Sequence, residues 1–345
     1  MMILKSNRGT VYILWLLGLG LLASCTPSAE TPGASPQVVT EPPGTVAPNP
    51  TIAVGTSAPL VVTPAPNATR IRPGTPPTTA VTVVPDPVVL AAGDIAVCGT
   101  PQDAATAKLL LNTPGTVLAL GDEAYPNGAA SDFANCYNPS WGQVKARTHP
   151  VPGNHEYLTT GAAGYFGYFG VAAGPAGKGY YSFDLGAWHL IALNSEIPVN
   201  AGSPQEEWLR ADLATHRAAC TLAYWHQPRF SSGPHGSNNA YQPLWQALYD
   251  SGAELVLNGH DHDYERFALQ EPDGVPAPAH GIREFVVGTG GAGLYPPVLI
   301  ASNSEVRNNT SWGVLKLTLH AAGYDWQFIS INPQESVDSG SGVCH

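Results

Sequence analysis

Side chains that can bind metal ions follow several short apolar segments of this 345-residue chain. The clearest pair is His260-x-His262, which comes after the apolar residues 255–257 and the turn Asn258-Gly259. In open α/β sheets, ligands bind in the crevice beyond the carboxyl ends of the strands, so two imidazoles placed there could share one site. A lone pair of this kind is also consistent with a solvated polar loop.

Four other predicted strand ends carry matching groups. They are Asp94, Asp122 with Tyr125, Asn154 with His155, and His226. Carboxylate, phenolate, amide oxygen and imidazole together suit cations such as Fe, Mn and Zn. The set exceeds what one ion needs, and Asp122 falls in its middle. Enzymes that hydrolyse phosphate esters with two metal ions hold these ions about 3.5–4 Å apart, and a carboxylate can be shared between them. The sequence therefore predicts a two-metal centre.

The elements that must position these groups alternate between strands and helices. Apolar runs predict strands at 88–92, 117–120, 180–185, 188–193, 222–225, 255–257, 284–287, 313–319 and 324–331. Helical spacing predicts helices at 102–112, 203–216 and 241–249, the second opened by the capping box Ser203-x-x-Glu206. Residues 133–141 and the Gly- and Tyr-rich stretch after Glu156 are predicted as loops. The pattern predicts an α/β fold: an αββα sandwich of two mixed β-sheets flanked by helices.

These motifs resemble those of a known family. Asp94, Gly121-Asp122-x-x-Tyr125, Gly153-Asn154-His155-Glu156, His226 and Gly259-His260-x-His262 resemble the five motifs of the calcineurin-like metallophosphoesterases. Within that family, Gly-Asp-x-x-Tyr and the run from Gly259 to Arg266 are similar to the purple acid phosphatase branch. The resemblance covers roughly residues 88–331 and implies the metallophosphoesterase fold.

The resemblance also implies a ligand set for two ions. The first, Fe³⁺, would take Asp94, Asp122, Tyr125 and His262. The second, a divalent Fe, Zn or Mn ion, would take Asp122, Asn154, His226 and His260. Many relatives have Asp-x-His in the first motif, whereas this chain has Asp94-Ile95-Ala96 and Tyr125 supplies the missing ligand. The purple acid phosphatase branch usually has Gly where Ala96 stands.

The mechanism implied is direct attack on phosphorus by a metal-bound hydroxide, while the metals neutralise charge on the phosphoryl oxygens. His155 stands beside a ligand, and we expect it to contact the phosphate and help protonate the leaving oxygen. His235, in the loop formed by residues 231–236, resembles the family's substrate-binding histidine; a solvated loop histidine is the alternative. Glu156 either orients His155 or caps a turn.

The resulting prediction is a phosphatase of acid-phosphatase type that hydrolyses small phosphate monoesters. One alternative is a phosphodiesterase or nucleotidase with the same site, and another is a surface lipoprotein that binds a ligand without turnover. The formal net charge is −11 and no basic cluster is present, so no nucleic-acid partner is expected. The sequence leaves the oligomeric state open.

The first 24 residues are predicted to be a lipoprotein signal peptide. Lys5 and Arg8 precede the apolar residues 11–22, a run too short for a comfortable membrane span. The following Leu22-Ala-Ser-Cys25 resembles a bacterial lipoprotein cleavage box, which implies a lipid on Cys25. An ordinary secretory signal is the alternative. In both cases the protein is expected outside the cytoplasm, and in the first it is anchored to a bacterial membrane through Cys25.

Composition divides the rest of the chain into three parts. Residues 25–86 are rich in Pro and Thr with almost no charge, which predicts a disordered tether, with a Pro-rich recognition segment as the alternative. Residues 87–332 form the predicted catalytic domain, and residues 333–345 a C-terminal tail.

Four cysteines besides Cys25 allow three disulfide pairings. Cys98 and Cys136 each follow a strand-end cluster, which favours a bridge between them and leaves Cys220 for Cys344. The sequence does not decide this connectivity.

Overall fold

The computed structural model describes residues 85–345, in which two β-sheets pack face to face between helices. The predicted signal peptide, Cys25 and the tether up to residue 84 lie outside the described residues. Within this range no helix combines the length and apolar character needed to cross a bilayer.

The strands, in chain order, are β1 (Val88–Ala92), β2 (Thr116–Ala119), β3 (Thr148–Pro150), β4 (Tyr181–Leu185), β5 (Trp188–Ala192), β6 (Cys220–Tyr224), β7 (Leu255–Asn258), β8 (Tyr264–Phe267), β9 (Arg283–Val287), β10 (Ser304–Asn308), β11 (Gly313–His320), β12 (Gly323–Ser330) and β13 (Ser339–Val343). The α-helices are α1 (Gln102–Asn112), α2 (Ala130–Asp132), α3 (Asn154–Tyr157), α4 (Ala163–Phe169), α5 (Pro204–Thr215) and α6 (Gln242–Asp250). Short segments of 3₁₀ or π helix cover Phe133–Tyr137, Trp141–Arg147, Thr160–Ala162, Gly170–Ala173 and Asn239–Tyr241.

Both sheets are mixed. The first has the order β13-β12-β11-β1-β2-β3, with β1, β2 and β3 parallel and the other neighbours antiparallel. The second has the order β10-β8-β9-β7-β6-β5-β4, with β5, β6, β7 and β9 parallel. The parallel strands of each sheet therefore end at one edge, where the predicted metal-binding motifs follow.

Aromatic side chains join the two sheets. Tyr264 of the second sheet lies 4.6 Å, between ring centroids, from Phe328 of the first, and Trp188 makes an edge-on contact with Tyr324 at 5.8 Å. Helices α5 and α6 cover the outer face of the second sheet in a separate apolar cluster that includes Trp245. These layers confirm the predicted αββα sandwich.

Both favoured disulfides are present, Cys98–Cys136 and Cys220–Cys344. The second ties the C-terminus to the start of β6. Residues 333–345, predicted as a C-terminal tail, include the edge strand β13 paired with β12. Its sequence Ser-Gly-Ser-Gly-Val has no apolar alternation, so pattern reading gives no strand signal there.

Strands β3, β8 and β10 and helices α2, α3 and α4 are also absent from the prediction. Strand β10 is a polar edge strand with the sequence Ser-Glu-Val-Arg-Asn. Strand β8 begins directly after the histidine motif. The sequence pattern therefore assigns its residues to that motif and not to a strand. Helix α4 lies in the Gly- and Tyr-rich stretch that is predicted as a loop. A loop is predicted there because glycine lowers helix propensity, whereas packing of the aromatic residues stabilises the helix.

Candidate active site

The predicted metal-binding motifs meet where the parallel strands of both sheets end. The first sheet contributes Asp94 after β1, Asp122 after β2 and Asn154 after β3, and the second contributes His226 after β6 and His260 after β7. The site therefore lies between the sheets and draws on both of them.

Three of these residues have strained backbones. Asp94, Asp122 and His260 have φ values of 59°, 50° and 73°, in the left-handed region that non-glycine residues rarely adopt. Such conformations cost on the order of 1–3 kcal/mol each and persist where the surrounding structure imposes them, often at functional sites. Only two other non-glycine residues within 85–345 share a positive φ.

The turn after β2 requires glycine at position 121. Gly121 has a φ of 87°, and a Cβ built on it would lie 2.7 Å from the His226 ring. A side chain there would be strained and would displace the imidazole. Gly121 therefore allows the end of β2 to approach the end of β6.

Tyr125 is at the centre of the first predicted ligand group. Its hydroxyl lies 3.0 Å from Asp94 Oδ1, 3.2 Å from Asp122 Oδ2 and 3.2 Å from His262 Nε2. His262 Nε2 is also 3.2 Å from Asp94 Oδ1. All four predicted side chains thus direct oxygen or nitrogen atoms into one small volume.

The second predicted group adjoins the first through Asp122. His226 Nε2 lies 3.3 Å from Asp122 Oδ2 and 3.3 Å from His260 Nδ1. One carboxylate oxygen therefore faces Tyr125 on one side and His226 on the other. Asp94, Asp122 and His226 alone offer three ligand atoms within 4.8 Å of one another.

Asn154 provides a direct test of whether cations fit. Its Oδ1 is buried and has no hydrogen-bond partner within the described protein. A buried amide oxygen normally has a partner, and leaving it without one is costly. A cation would satisfy this oxygen, and the donor set as a whole is of the kind that Fe, Mn and Zn bind. The residues present fit two metal ions.

Backbone carbonyls orient two of the histidines. His226 Nδ1 donates to the Leu120 carbonyl at 2.8 Å, and His262 Nδ1 donates to the Gly293 carbonyl at 2.7 Å. Each hydrogen bond fixes the tautomer and directs Nε2 toward the carboxylates, a common arrangement around metal ligands. Sequence reasoning missed Gly293, for which the glycine-rich residues 288–293 after β9 were the available signal.

The electrostatics of the site favour positive charge. Burial by itself would raise the pKa of Asp122, but His226 and then His155 lower it below its usual value. Burial opposes a charge on His226, yet Asp122 and Asp94 raise its pKa to about 10. Burial and the neighbouring His226 lower the pKa of His260 to about 3. The carboxylates are therefore anionic and His260 is a neutral imidazole at physiological pH, whereas His226 would have to release its Nε2 proton to bind a cation.

His155 lies at the open side of the centre. Its Nδ1 donates to the Pro126 carbonyl at 2.6 Å, its ring centroid is 4.4 Å from that of Tyr125, and its Nε2 lies 3.8 Å from Asp122 Oδ2. With Nδ1 engaged, Nε2 is the nitrogen available to a substrate, and the side chain is 31% exposed.

Glu156 makes no hydrogen bond to His155 within the described structure. Its carboxylate accepts from the backbone N–H groups of Gly153 and Asp122, both at 2.9 Å, and of Ala124 at 3.2 Å. Of the two roles considered from the sequence, the geometry fits the turn cap. The same carboxylate also joins the second motif to the third.

His235 lies at the rim of the site. Its ring centroid is 4.1 Å from that of His260, and its Nδ1 is 2.8 Å from Asp261 Oδ1. Sequence reasoning missed Asp261, although it stands between the two motif histidines. It also missed Tyr295, whose ring stacks on His262 at 4.1 Å.

The family model for calcineurin-like phosphoesterases matches residues 87–264. The chain belongs to this family. The matched part of the phosphoesterase domain contains every predicted metal ligand.

Curated relatives are purple acid phosphatases of Arabidopsis thaliana. Purple acid phosphatase 15 is 30% identical in an alignment 195 positions long that covers 46% of this chain and 37% of that protein. Purple acid phosphatase 23 is 29% identical in an alignment 197 positions long that covers 46% of this chain and 43% of that protein. The phosphoesterase chain thus spans less than half the length of these relatives.

Solved structures share the fold of the phosphoesterase domain. A purple acid phosphatase from yellow lupin (Lupinus luteus) seeds superposes with a TM-score of 0.61 at 21% identity, covering 74% of this chain and 53% of that one. The anchor protein GAP50 of the Plasmodium inner membrane complex superposes with a TM-score of 0.56 at 15% identity, covering 76% of this chain and 90% of that one. At these identities the likeness concerns the fold.

Proposed function

We propose that this protein hydrolyses small phosphate monoesters at a centre of two metal ions. The observation that carries the proposal is the position of Asp122, whose Oδ2 lies 3.2 Å from the Tyr125 hydroxyl and 3.3 Å from His226 Nε2. A carboxylate facing two groups of ligands is the arrangement expected for a bridge between two ions. Family membership and the purple acid phosphatase relatives support the same chemistry.

The proposed ligands follow the two groups. Asp94, Asp122, Tyr125 and His262 would hold Fe³⁺, and Asp122, Asn154, His226 and His260 would hold a divalent Fe, Zn or Mn ion. Bound there, the two ions would activate a water nucleophile and neutralise charge on the phosphoryl oxygens. Such ions would also offset the acidic charge of the protein, which otherwise repels an anionic substrate.

Two histidines act on the substrate in this proposal. His155 presents Nε2 at the open side of the centre, where it can contact the phosphoryl group and give a proton to the leaving oxygen. His235, at the rim beside His260, can donate a hydrogen bond to a phosphoryl oxygen. Their ring positions are fixed by Pro126 and Asp261 respectively.

The test combines metal analysis with a matched pair of substrates. We expect the purified full chain, reconstituted with two metals, to hydrolyse p-nitrophenyl phosphate faster than bis(p-nitrophenyl) phosphate. Asp122→Asn should lose metal and turnover together, whereas the exposed control Asp325→Asn should keep both. Faster diester cleavage would favour the phosphodiesterase or nucleotidase alternative. No hydrolysis of either ester with both metals bound would favour a binding lipoprotein.

We further propose that a lipid on Cys25 anchors the protein to a bacterial membrane, outside the cytoplasm. The cleavage box before Cys25 supports this proposal. Cys25→Ser should release the protein from the membrane fraction and leave hydrolysis unchanged, since Cys25 is outside the phosphoesterase domain. A variant that still sediments with membranes would contradict the lipid anchor.

A further inference from the structure

A cavity of about 640 Å³ adjoins the loop that carries His235. One wall is formed by the loop of residues 231–237 without the side chains of Ser232 and His235, and the other by residues 298–302. The lining is completed by Arg229, Phe230, Asn239, Asp273 and Gly274. None of the proposed metal ligands or proton donors lines it. The cavity therefore lies beside the proposed phosphoryl site and is separate from it.

The first wall is fixed to the metal-binding motif by Asp261. The Asp261 carboxylate accepts hydrogen bonds from the backbone N–H of His235 at 3.0 Å and from its Nδ1 at 2.8 Å. Ser231 Oγ also donates to this carboxylate. Because Asp261 lies between His260 and His262, its hydrogen bonds connect this wall to the two proposed ligands.

The segment that leads into the second wall starts beside the same motif. The backbone N–H of Tyr295 donates to the His262 carbonyl at 2.9 Å, and the Tyr295 ring stacks on the His262 imidazole at 4.1 Å. Farther along, the N–H of Val298 donates to the Ser232 carbonyl at 2.8 Å, and the N–H of Ala301 donates to Ser232 Oγ at 2.9 Å. The segment therefore runs from the proposed metal centre into the cavity.

This second wall is unusually apolar for an exposed segment. Val298, Leu299 and Ile300 are 72%, 79% and 53% exposed. The other large hydrophobic residues exposed within residues 85–345 stand singly. A run of exposed apolar side chains beside a polar centre is characteristic of a ligand-binding surface.

Arg229 adds a positive charge to the cavity. The residue is only 5% exposed, its Nη2 donates to the Pro272 carbonyl at 3.1 Å, and its Nε has no hydrogen-bond partner in the described protein. Among the described residues no carboxylate lies within ion-pair distance of Arg229. Burial lowers its pKa, although the charges of Glu284 and of Asp273, which also lines the cavity, act to raise it. The centroid of the Phe230 ring lies 4.3 Å from the guanidinium carbon. Buried charges are normally paired, so an anionic ligand would complete this site.

We propose that this cavity binds the alcohol part of the phosphoester and selects alcohols that combine an apolar body with an anionic group. The apolar body would contact Val298, Leu299 and Ile300, while the anionic group would pair with Arg229. The proposal rests on the proposed phosphoesterase function, because it assigns the phosphoryl group to the neighbouring metal centre. It names a substrate class that the metal ligands do not specify.

The charge preference is tested with two aryl esters that differ in one group, 4-carboxyphenyl phosphate and its neutral isostere 4-carbamoylphenyl phosphate. A hydrogen-bonded charge pair should lower KM for the carboxylate by roughly 10- to 100-fold relative to the amide. Arg229→Gln should abolish that difference. Arg217→Gln, which removes an exposed arginine lining a different cavity, controls for net charge. An unchanged KM ratio in folded Arg229→Gln overturns the charge assignment.

The apolar wall is tested separately with Leu299→Ser. Since Leu299 is 79% exposed, this change does not disturb the core and remains informative even if Arg229→Gln fails to fold. We expect KM for phenyl phosphate to rise about 3- to 10-fold, from the loss of buried apolar contact, with no change for methyl phosphate. The control Val171→Ser alters another exposed apolar residue, 98% accessible. Equal effects on both esters overturn the apolar assignment.

Failure of the cavity proposal and failure of the phosphoesterase proposal have different signatures. If no ester is hydrolysed with both metals bound, the proposed function is wrong. Calorimetry with 4-carboxyphenyl phosphate then measures the cavity directly. Weaker binding to Arg229→Gln than to the original chain supports the inference without turnover, and equal affinities overturn it.

Discussion

The Tyr125 hydroxyl lies 3.0 Å from Oδ1 of Asp94, although the two side chains follow different strands of the first sheet. Burial, and then the charges of Asp94 and Asp122, raise the pKa of Tyr125 well above its usual value. The protein alone therefore keeps this phenol neutral. Only a strongly Lewis-acidic cation would favour the phenolate as a ligand, and Fe³⁺ meets that requirement better than Zn²⁺ or Mn²⁺.

Tyr125→Phe should bleach the iron-loaded protein. A phenolate bound to Fe³⁺ absorbs visible light by charge transfer, so we expect a pink to purple protein and no visible band in the variant. The measurement is an absorption spectrum at known iron content. Tyr264→Phe is the matched control, because the Tyr264 hydroxyl donates instead to Asp338 at 2.7 Å. A colourless original protein with stoichiometric iron would contradict the ligand role.

His155→Ala should impair the chemical step without loss of metal. Its Nε2 is directed toward the centre but is not among the proposed ligands, so kcat should fall by roughly 10²–10⁴, the usual contribution of a positioned acid or base. Metal content and kcat are measured on the same preparation. Full activity at full occupancy would show that His155 takes no part in catalysis.

His260→Ala should lose the second metal. His260 Nδ1 lies 3.3 Å from His226 Nε2, and its removal takes away one proposed ligand of the divalent ion. We expect metal content per chain to fall from two to one, together with activity. His280→Ala, at an exposed histidine, should retain both. Two tightly bound metals in His260→Ala would exclude His260 as a ligand.

Glu156→Gln should destabilise the phosphoesterase domain. The Glu156 carboxylate accepts three backbone N–H groups, from Asp122, Gly153 and Ala124, whereas an amide would turn an NH₂ group toward at least one of these donors. Leaving a buried N–H group without an acceptor costs about 1–3 kcal/mol. Urea unfolding measures the change, and the exposed Glu207→Gln should show almost none.

Stability should depend on the protonation of His189. This buried histidine hydrogen-bonds Asp184 through Nδ1 and Asp212 through Nε2, both at 2.8 Å. Burial acts to lower the pKa of His189, but Asp212 and Asp184 outweigh it and raise the pKa. Burial acts to raise the pKa of Asp212, but His189 and Ser182 lower it.

The signs of these shifts define the pH range. The contribution of His189 is complete below its unfolded pKa of about 6.5 and is lost as pH rises through the higher folded value. The contribution of Asp212 is present above its unfolded pKa of about 3.9 and is lost as pH falls through the lower folded value. The free energy of unfolding should therefore exceed that of His189→Asn most between about pH 4 and 6.5. A pH-independent difference in urea titrations would contradict this account.

The local sequence was sufficient to predict the ligand types and, apart from β3, the strands that precede them. Each motif follows an apolar run within a few residues, as His260 follows β7 and Asp94 follows β1. Hydrophobic pattern and residue spacing are informative over such short stretches of sequence. The five motifs and the two-layer fold could therefore be predicted before any contact was known. The Cys98–Cys136 bridge was favoured for the same reason.

The tertiary structure decided which residues support those ligands. Asp261 forms a hydrogen bond with His235, which is 26 residues away in the sequence. The Gly293 carbonyl accepts a hydrogen bond from the His262 ring, which is 31 residues away. The Tyr295 ring stacks on the His262 imidazole because of the course that a glycine-rich loop takes. Such contacts follow from the packing of loops whose sequences have no periodicity, and backbone carbonyls leave no side-chain signature. The residues proposed to bind the metals therefore stand out in the local sequence, whereas those that orient them and form the neighbouring cavity were defined only by the folded chain.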